Sequence, residues 1–268
     1  MINQLSDRAQ IFTEDALAYS LYTHRSTSGG QFFFKLHHNM SIRRGRPWFY
    51  WCAPEIDVIE VTPDNHVIAY ELKGSRQHPS GLPDFPAIHD PIGQAVAYLD
   101  LPRICEGDRR LFEGGVFDFV YAVCARQGTE IDPGEMRTLS LVPVGAMFGL
   151  LDGGFVTIKE APKNPLQNSE AKAHFLRNLD ALENHKTQSK IFRQIRAAGE
   201  AWFSKGCIER GKRYDGRPRA LAFLPAGLKK SATGTLSACA SFTMVARDGL
   251  RLPRRIWERC PFEKSVSS

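Results

Sequence analysis

The sequence predicts a mixed α/β domain followed by a basic, mainly helical region. Two β-rich runs, 54–61 and 67–74, are separated by a turn containing Pro, Asp and Asn, and this pattern predicts a hairpin. A helix with apolar periodicity precedes the hairpin at 6–24, and another follows at 92–101. A strand rich in Val and Phe is predicted at 116–124. This alternation of helices and strands indicates the α/β class.

Length and composition indicate a globular protein with a substantial core. The chain has 268 residues, of which 43% are hydrophobic. No apolar run approaches the roughly 18 residues that a membrane span needs, and the first residues lack a basic and apolar leader. We therefore expect a cytoplasmic protein that does not bind membranes.

The six cysteines show no compact spacing. They contain no CxxC pair, so the sequence favours buried thiols over a zinc site or a disulfide framework, with a cluster built from distant cysteines left open.

The two parts of the chain differ in net charge. Residues 1–160 carry 14 Lys and Arg against 20 Asp and Glu, a balance of −6, and residues 161–268 carry 21 against 9, a balance of +12. We expect a first domain at 1–160 and a basic region at 161–268 that binds a polyanion, although such an excess is also typical of a solvated surface.

The predicted hairpin brings two carboxylates together. Only one register keeps the apolar sets together, and it places Asp57 opposite Glu71. Directly opposed residues lie about 4.5–5.5 Å apart, so two ionised carboxylates would repel unless a proton or a cation lay between them. Lys73 follows Glu71 on the same face of the strand. The alternative is an ordinary strand with surface salt bridges, but both strands are apolar enough to be central.

Glu14 lies on the inward stripe of the first helix, spaced with Leu17 and Leu21. It is either a third acid of the site or part of a Thr13-Glu14-Asp15 cap that meets the helix dipole.

Helix 92–101 carries Gln94 and Tyr98 one turn apart, so the two side chains project together and can reach over the strands. The expected apolar side of this helix is Ile92, Val96 and Leu99.

Basic residues in two loops are candidates for nucleic-acid binding. Arg43, Arg44 and Arg46 precede an aromatic run at 48–51, and Lys212 and Arg213 lie in a turn-rich stretch. His37 and His38 end a predicted strand and are more typical of a surface than of a phosphate site.

The rest of the chain is less sharply patterned. Residues 137–151 and 155–159 suggest further strands or a short hairpin that turns around Asp152-Gly153-Gly154. Residues 161–165 resemble a linker, and 169–183 and 188–205 have helical patterns. A helix–turn–helix within 231–246 is a weaker alternative for the last part.

The order of helix, strand, hairpin with Asp57 and Glu71-Leu72-Lys73, helix with Gln94 and Tyr98, and strand resembles the PD-(D/E)XK nuclease superfamily. Gln94 to Tyr98 is similar to the QxxxY element of its RecB-like and Cas4-like members. The resemblance covers about residues 7–125 and implies a restriction-endonuclease-like α/β/α sandwich with an αβββαβ core and a mixed central sheet.

The resemblance also implies site roles. Asp57, Glu71 and the Leu72 carbonyl would ligate Mg²⁺ or Mn²⁺, which prefer oxygen ligands. Lys73 would orient the attacking water, Glu14 sits where many members carry an acid, and Gln94 and Tyr98 would support the site or the DNA backbone.

These patterns together predict a metal-dependent nuclease that hydrolyses phosphodiester bonds in DNA for repair, recombination, restriction or defence. Two alternatives remain open: a nucleic-acid-binding module that keeps the nuclease fold without turnover, and a protein-interaction subunit whose basic region binds an acidic protein. The sequence is also compatible with a homo-oligomer.

Overall fold

The computed structural model describes residues 11–36, 47–77, 83–183 and 186–214 of the chain. Two compact units are distinguished, Met1–Gly199 and Glu200–Ser268. The first unit holds every strand described below and the candidate site. It runs past residue 160, where the sequence suggested a domain boundary.

The secondary structure alternates helices and strands, which confirms the mixed α/β class. In chain order the elements are α1 (Glu14–Arg25), a short 3-10 helix (Ser26–Ser28), β1 (Gln31–Leu36), β2 (Trp48–Trp51), β3 (Ile56–Val61), β4 (Val67–Lys73), β5 (Arg76–Gln77), β6 (Pro83–Asp84), α2 (His89–Tyr98), β7 (Arg103–Glu106), β8 (Arg109–Arg110), β9 (Phe119–Arg126), α3 (Pro133–Ser140), β10 (Gly145–Leu150), β11 (Phe155–Lys159), α4 (Ser169–Arg177), α5 (Leu179–Glu183) and α6 (Lys186–Tyr214).

A mixed six-stranded sheet forms the centre of the first unit, in the order β1-β3-β4-β9-β10-β11. Strands β1, β3 and β4 are antiparallel, β9 is parallel to both β4 and β10, and β11 is antiparallel to β10. The predicted hairpin β3–β4 therefore lies in the interior of the sheet. That position explains why both faces of these strands are apolar.

The hairpin has the predicted register. Val61 pairs with Val67, Ile59 with Ala69 and Val58 with Tyr70. The next pair along this register is Asp57 with Glu71.

The two faces of the hairpin contribute to separate layers. Ile59, Val61, Val67 and Ala69 belong to a core that includes α2, as does Ile56, which the register alone assigned to the opposite face. Helix α1 covers strands β4 and β10. The sheet is thus flanked by helices, as in an α/β sandwich.

Helix α1 begins at Glu14, and residues 11–13 are not helical. The Thr13 hydroxyl accepts a hydrogen bond from the Ala16 N–H (3.2 Å), so the predicted cap is present. Before the cap, the backbone of Phe12 is bound to Ser75: the Ser75 N–H donates to the Phe12 carbonyl at 2.9 Å. An added Cβ at Gly74 would lie 2.6 Å from the Glu14 nitrogen, so the approach requires glycine there.

Helix α2 buries Ile92, Ala95, Tyr98 and, just after it, Leu99. The expectation that Val96 shares the apolar side was wrong, because Val96 is exposed. Steps of three and seven residues from Ile92 lead to Ala95 and Leu99 on the buried face, and the buried phenol of Tyr98 extends this face toward the strands.

The segment after β9 differs from the sequence expectation. Residues 137–140 belong to helix α3, which begins with a capping box: the Asp132 carboxylate accepts from the Glu135 N–H, and the Glu135 carboxylate accepts from the Asp132 N–H. Strands β10 and β11 then form the expected short hairpin.

The predicted linker at 161–165 is an integral part of the first unit. Asn164 is buried, and its amide donates to the carbonyls of Leu99 (2.8 Å) and Phe117 (2.9 Å). Helices α4 and α5 separate at Asn178, and Phe175 of α4 lies in the core. The proposed helix–turn–helix at 231–246 lies outside the described residues.

Candidate active site

Asp57 and Glu71 reach the same site from neighbouring strands. Asp57 is the second residue of β3, and Glu71 lies two residues before the end of β4. The Leu72 N–H donates to Oδ2 of Asp57 at 2.8 Å, which ties the Asp57 carboxylate to the residue beside Glu71. The hairpin register thus brings both predicted acids together.

Glu71 is almost fully buried, and each of its oxygens has a partner. Lys73 Nζ donates to Oε1 at 2.6 Å, and the Tyr98 hydroxyl approaches Oε2 closely. Lys73 is the residue that alternation along the strand placed on the same face. An ammonium group compensates the buried carboxylate, as burial of a charge requires.

The Tyr98 hydroxyl connects helix α2 to both strands. Its oxygen lies within hydrogen-bond distance of Glu71 Oε2 and of the Glu55 carbonyl (2.5 Å), which compete for its single proton, and it accepts from the Asp57 N–H at 3.3 Å. Burial, together with the negative charges of Asp57 and Glu71, raises the pKa of the Tyr98 hydroxyl. Tyr98 therefore stays protonated and serves as a donor.

The environment of Asp57 disfavours the ionised form of its carboxyl group relative to the protonated form. Burial raises its pKa well above the ordinary value, and the charge of Glu71 raises it further, while the Leu72 N–H and Lys73 act in the opposite direction. Two carboxylates with one ammonium form a site that favours an additional proton or cation.

Lys73 joins the acid pair to helix α1. Its Nζ lies 3.7 Å from Oε1 of Glu14, a side chain about half exposed. Burial lowers the pKa of Lys73, but the hydrogen bond to Glu71 and the charges of Glu71, Glu14 and Asp57 outweigh it and raise the pKa overall. Glu14 thus lies in the first turn after the Thr13 cap and also approaches Lys73, and its role as a third acid of the site remains a prediction.

A second lysine near the acids was not foreseen from the sequence. Lys35 lies at the end of β1 with φ +47°, a left-handed conformation that is uncommon for lysine. Its Nζ binds Asp15 at 2.5 Å, and the charges of Asp15, Glu55 and Asp57 raise the pKa of Lys35 against the effect of burial. Lys35 and Lys73, from strands on either side of β3, therefore hold the first turn of α1. No sequence pattern marks a left-handed lysine.

The remaining predicted residues have different outcomes. Gln94 is half-buried one turn before Tyr98, and no hydrogen bond within the described part of the chain joins it to either acid. Arg43, Arg44 and Arg46 lie outside the described residues, as do His37 and His38. Lys212 and Arg213 fall in the last turns of α6, and the nucleic-acid contacts expected of them remain a prediction.

The donor set at the acid pair is compatible with a hard divalent cation. Within the described ranges, Oδ1 of Asp57 accepts no hydrogen bond, and the Leu72 carbonyl adjoins both acids in sequence. Magnesium is usually held by one or two carboxylates together with water and substrate phosphate. Among the described residues, no group of three or more His, Cys, Asp or Glu is placed to hold a metal ion. The arrangement therefore fits an open two-carboxylate site and not a closed cage.

The cysteines offer no alternative metal site where they are described. Cys52, Cys105 and Cys124 are free thiols, and burial raises the pKa of Cys124 to about 12.

Comparison with protein-family models, with curated proteins and with solved structures finds no match to the chain. Of the helices in the described ranges, none combines the length and the apolar character that crossing a membrane requires.

Proposed function

We propose that this protein hydrolyses phosphodiester bonds in DNA with Mg²⁺ or Mn²⁺ bound at Asp57 and Glu71. One observation carries the proposal: the buried Glu71 and the half-buried Asp57, on adjacent interior strands, share a site with Lys73, whose Nζ binds Glu71 at 2.6 Å. The order α1, β1, β3, β4, α2 and β9 also agrees with the αβββαβ core of the PD-(D/E)XK superfamily. We propose the restriction-endonuclease-like fold on the same grounds.

The protein groups have distinct roles in this reaction. Asp57, Glu71 and the Leu72 carbonyl would hold the divalent ion, which supplies Lewis acidity toward the phosphoryl group and acidifies water. Lys73 has a raised pKa, so it stays an ammonium at neutral pH and acts as a hydrogen-bond donor and a positive charge beside the phosphate. It does not serve as a general base.

The other residues position these groups. The Tyr98 hydroxyl holds Glu71 and restricts its rotation, and Glu14 lies beside Lys73 where it can accept a hydrogen bond from water. Attack by water forms a new P–O bond as the water releases one proton to solvent. The bond to the leaving strand breaks, and the leaving oxygen takes one proton from solvent. One strand end then carries the phosphate.

A DNA cleavage assay tests the proposal. Circular and linear DNA are incubated with the full chain in Mg²⁺ or Mn²⁺, and again in EDTA. Parent protein is compared with Asp57→Asn, Glu71→Gln and Lys73→Met, with Glu113→Gln as the control because the Glu113 side chain is 92% exposed. We expect cleavage only with metal, a loss of about 10²-fold or more in the three site variants, and DNA binding within a few-fold of the parent.

Three results would count against the proposed activity. Cleavage that persists in EDTA, or a Lys73→Met protein as active as the parent, contradicts the proposed roles. Binding of DNA by the parent without any cleavage in either metal favours the inactive DNA-binding module.

A further inference from the structure

Strand β1 forms one edge of the central sheet, and a cavity of about 320 Å³ lies along it. The cavity is lined by residues 30–34 of this edge, by Tyr22 of α1, and by Gln188, Ser189 and Phe192 of α6. It lies away from the candidate active site, and the proposed hydrolysis does not use it.

The side chain of Gln188 pairs with the backbone of β1 in the way that a neighbouring strand would. The buried side-chain amide of Gln188 donates from Nε2 to the Phe34 carbonyl at 2.8 Å and accepts the Phe34 N–H at Oε1, at 2.9 Å. A residue of a neighbouring strand makes the same two bonds. One residue of β1 is therefore already paired as if the sheet continued.

The backbone of Phe32 faces the same way as that of Phe34. Outward and inward hydrogen-bonding groups alternate along an antiparallel edge strand, so the N–H and C=O of Phe32 point away from β3. In the described part of the chain, neither group has a hydrogen-bond partner. An edge with an unpaired donor and acceptor is a template for an added strand.

Aromatic rings form the apolar wall of the cavity. Tyr22 meets Phe32 edge-on at 5.4 Å and Phe192 at 5.1 Å, and Phe34 stacks on Phe192 at 5.6 Å between ring centroids. A side chain entering here would be surrounded by rings, which suits an aromatic or branched aliphatic group.

The adjoining part of α6 is uniformly basic. From residue 186 to residue 199 it carries Lys186, Lys190, Arg193 and Arg196 and no acidic residue. The Arg193 side chain donates from Nε to the Ser189 carbonyl at 3.3 Å, which places this guanidinium beside a residue that lines the cavity. A ligand along β1 therefore lies next to positive charge.

We propose that the β1 edge binds an extended acidic peptide segment of a partner protein as an additional β-strand, with one apolar side chain in the aromatic cavity. Backbone bonds to Phe32 would supply affinity, and the cavity and basic helix would supply specificity. A single nucleic-acid strand also suits a basic aromatic groove, but its backbone has no N–H to pair with the Phe32 carbonyl. The proposal is independent of the proposed nuclease activity.

A peptide-binding measurement tests the proposal on the full chain. The probe is a fluorescein-labelled peptide with valine–phenylalanine–valine at its centre and two glutamates on each side. We expect saturable binding that weakens about fivefold in Arg193→Glu, a change of the size expected for surface charge pairs. Arg177→Glu reverses an exposed arginine on α4 and should leave binding unchanged.

Two further measurements separate strand addition from simple charge attraction. A probe with N-methylated backbone at its central residues should bind at least about tenfold more weakly, because it loses backbone hydrogen bonds. Amide hydrogen exchange should show new protection at Phe32 in the complex. Equal binding of the methylated probe, unchanged exchange at Phe32, or no binding of the parent protein overturns the proposal. An oligonucleotide that binds in place of the peptide and is weakened by Arg193→Glu assigns the groove to nucleic acid and likewise overturns it.

Discussion

The buried Glu71 and the half-buried Asp57 share one ammonium group in direct contact, that of Lys73, so the pair carries a charge imbalance that the protein must compensate. Lys73 neutralises Glu71, the Tyr98 hydroxyl lies against the other Glu71 oxygen, and the Leu72 N–H donates to one of the two oxygens of Asp57. Asp57 is left as the group whose ionised form is least favourable, since both burial and Glu71 raise its pKa. A cation that binds Asp57 would remove this penalty.

This imbalance predicts a pH dependence of stability in the metal-free protein. The folded pKa of Asp57 lies above its unfolded value of about 3.9, so the folded state holds the extra proton between the two values. The free energy of unfolding should therefore fall as pH rises through that window and then level off above the folded pKa. Asp57→Asn has no such titration, so its stability relative to the parent should increase with pH.

Denaturant unfolding in EDTA across a pH series measures this difference. Asp108→Asn is the control, because Asp108 is an exposed turn residue. A difference between Asp57→Asn and the parent that is constant across pH, or that shrinks as pH rises, contradicts the assigned environment of Asp57.

At the residue scale, strand alternation predicted the centre of the candidate site, although it assigned Ile56 to the wrong face. The pairing of Asp57 with Glu71 and the placement of Lys73 follow from a period of two. The ion pair of Lys35 with Asp15 was not predictable, because it depends on a left-handed backbone angle and on where α1 starts. The tertiary contact of Phe12 with Ser75 sets that start.

Among the elements, the segment from β11 to α4 shows how a polar residue can organise a connection. Asn164 donates to two carbonyls, and its Oδ1 accepts from the Leu166 N–H at 2.9 Å. Replacement by alanine leaves these three backbone groups, of which the two carbonyls are buried, without that partner. Unsatisfied buried groups are costly because they lose water without gaining a hydrogen bond.

We therefore expect Asn164→Ala to lower the free energy of unfolding by about 2–4 kcal/mol, measured by denaturant titration. Gln127→Ala, at an exposed loop position, is the control and should change stability little. A loss for Asn164→Ala no larger than that of the control would show that the segment is a loosely held linker after all.

The sequence predicted the β3–β4 hairpin correctly and the connection between β11 and α4 incorrectly. Both outcomes have physical causes. A Pro- and Asn-containing stretch has the composition of a linker, and only its contacts with Leu99 and Phe117 reveal that it is buried. Helix α3 was missed although its start is visible in the sequence as Asp132, Pro133 and Glu135, a capping box with proline at the first turn.

For the whole molecule, the position of the first unit's end predicts which fragments fold. Phe175 lies 5.5 Å from Tyr50 between ring centroids, and both side chains are fully buried. A fragment ending at residue 160 lacks Phe175, Asn164 and Gln188. We expect it to show no cooperative thermal transition, whereas a fragment ending at Gly199 should retain one.

Near-UV circular dichroism during heating distinguishes the two fragments. A cooperative transition of the shorter fragment at the melting temperature of the longer one would support the boundary predicted at residue 160. The charge difference and the compact units divide the chain at different places, because residues 161–199 belong to both the basic part and the first unit.

The most direct test of the central claim, that Asp57 and Glu71 share a divalent cation, is a thermal melt of the parent and Asp57→Asn in EDTA and in Mn²⁺. At 100 times the dissociation constant the metal should stabilise the parent by about 2.7 kcal/mol, which corresponds to about 5–10 °C if unfolding is reversible. Asp57→Asn should melt higher than the parent in EDTA, because the repulsion is gone, and should respond little to Mn²⁺. An Asp57→Asn protein that melts lower than the parent in EDTA and keeps the full metal shift would contradict the claim.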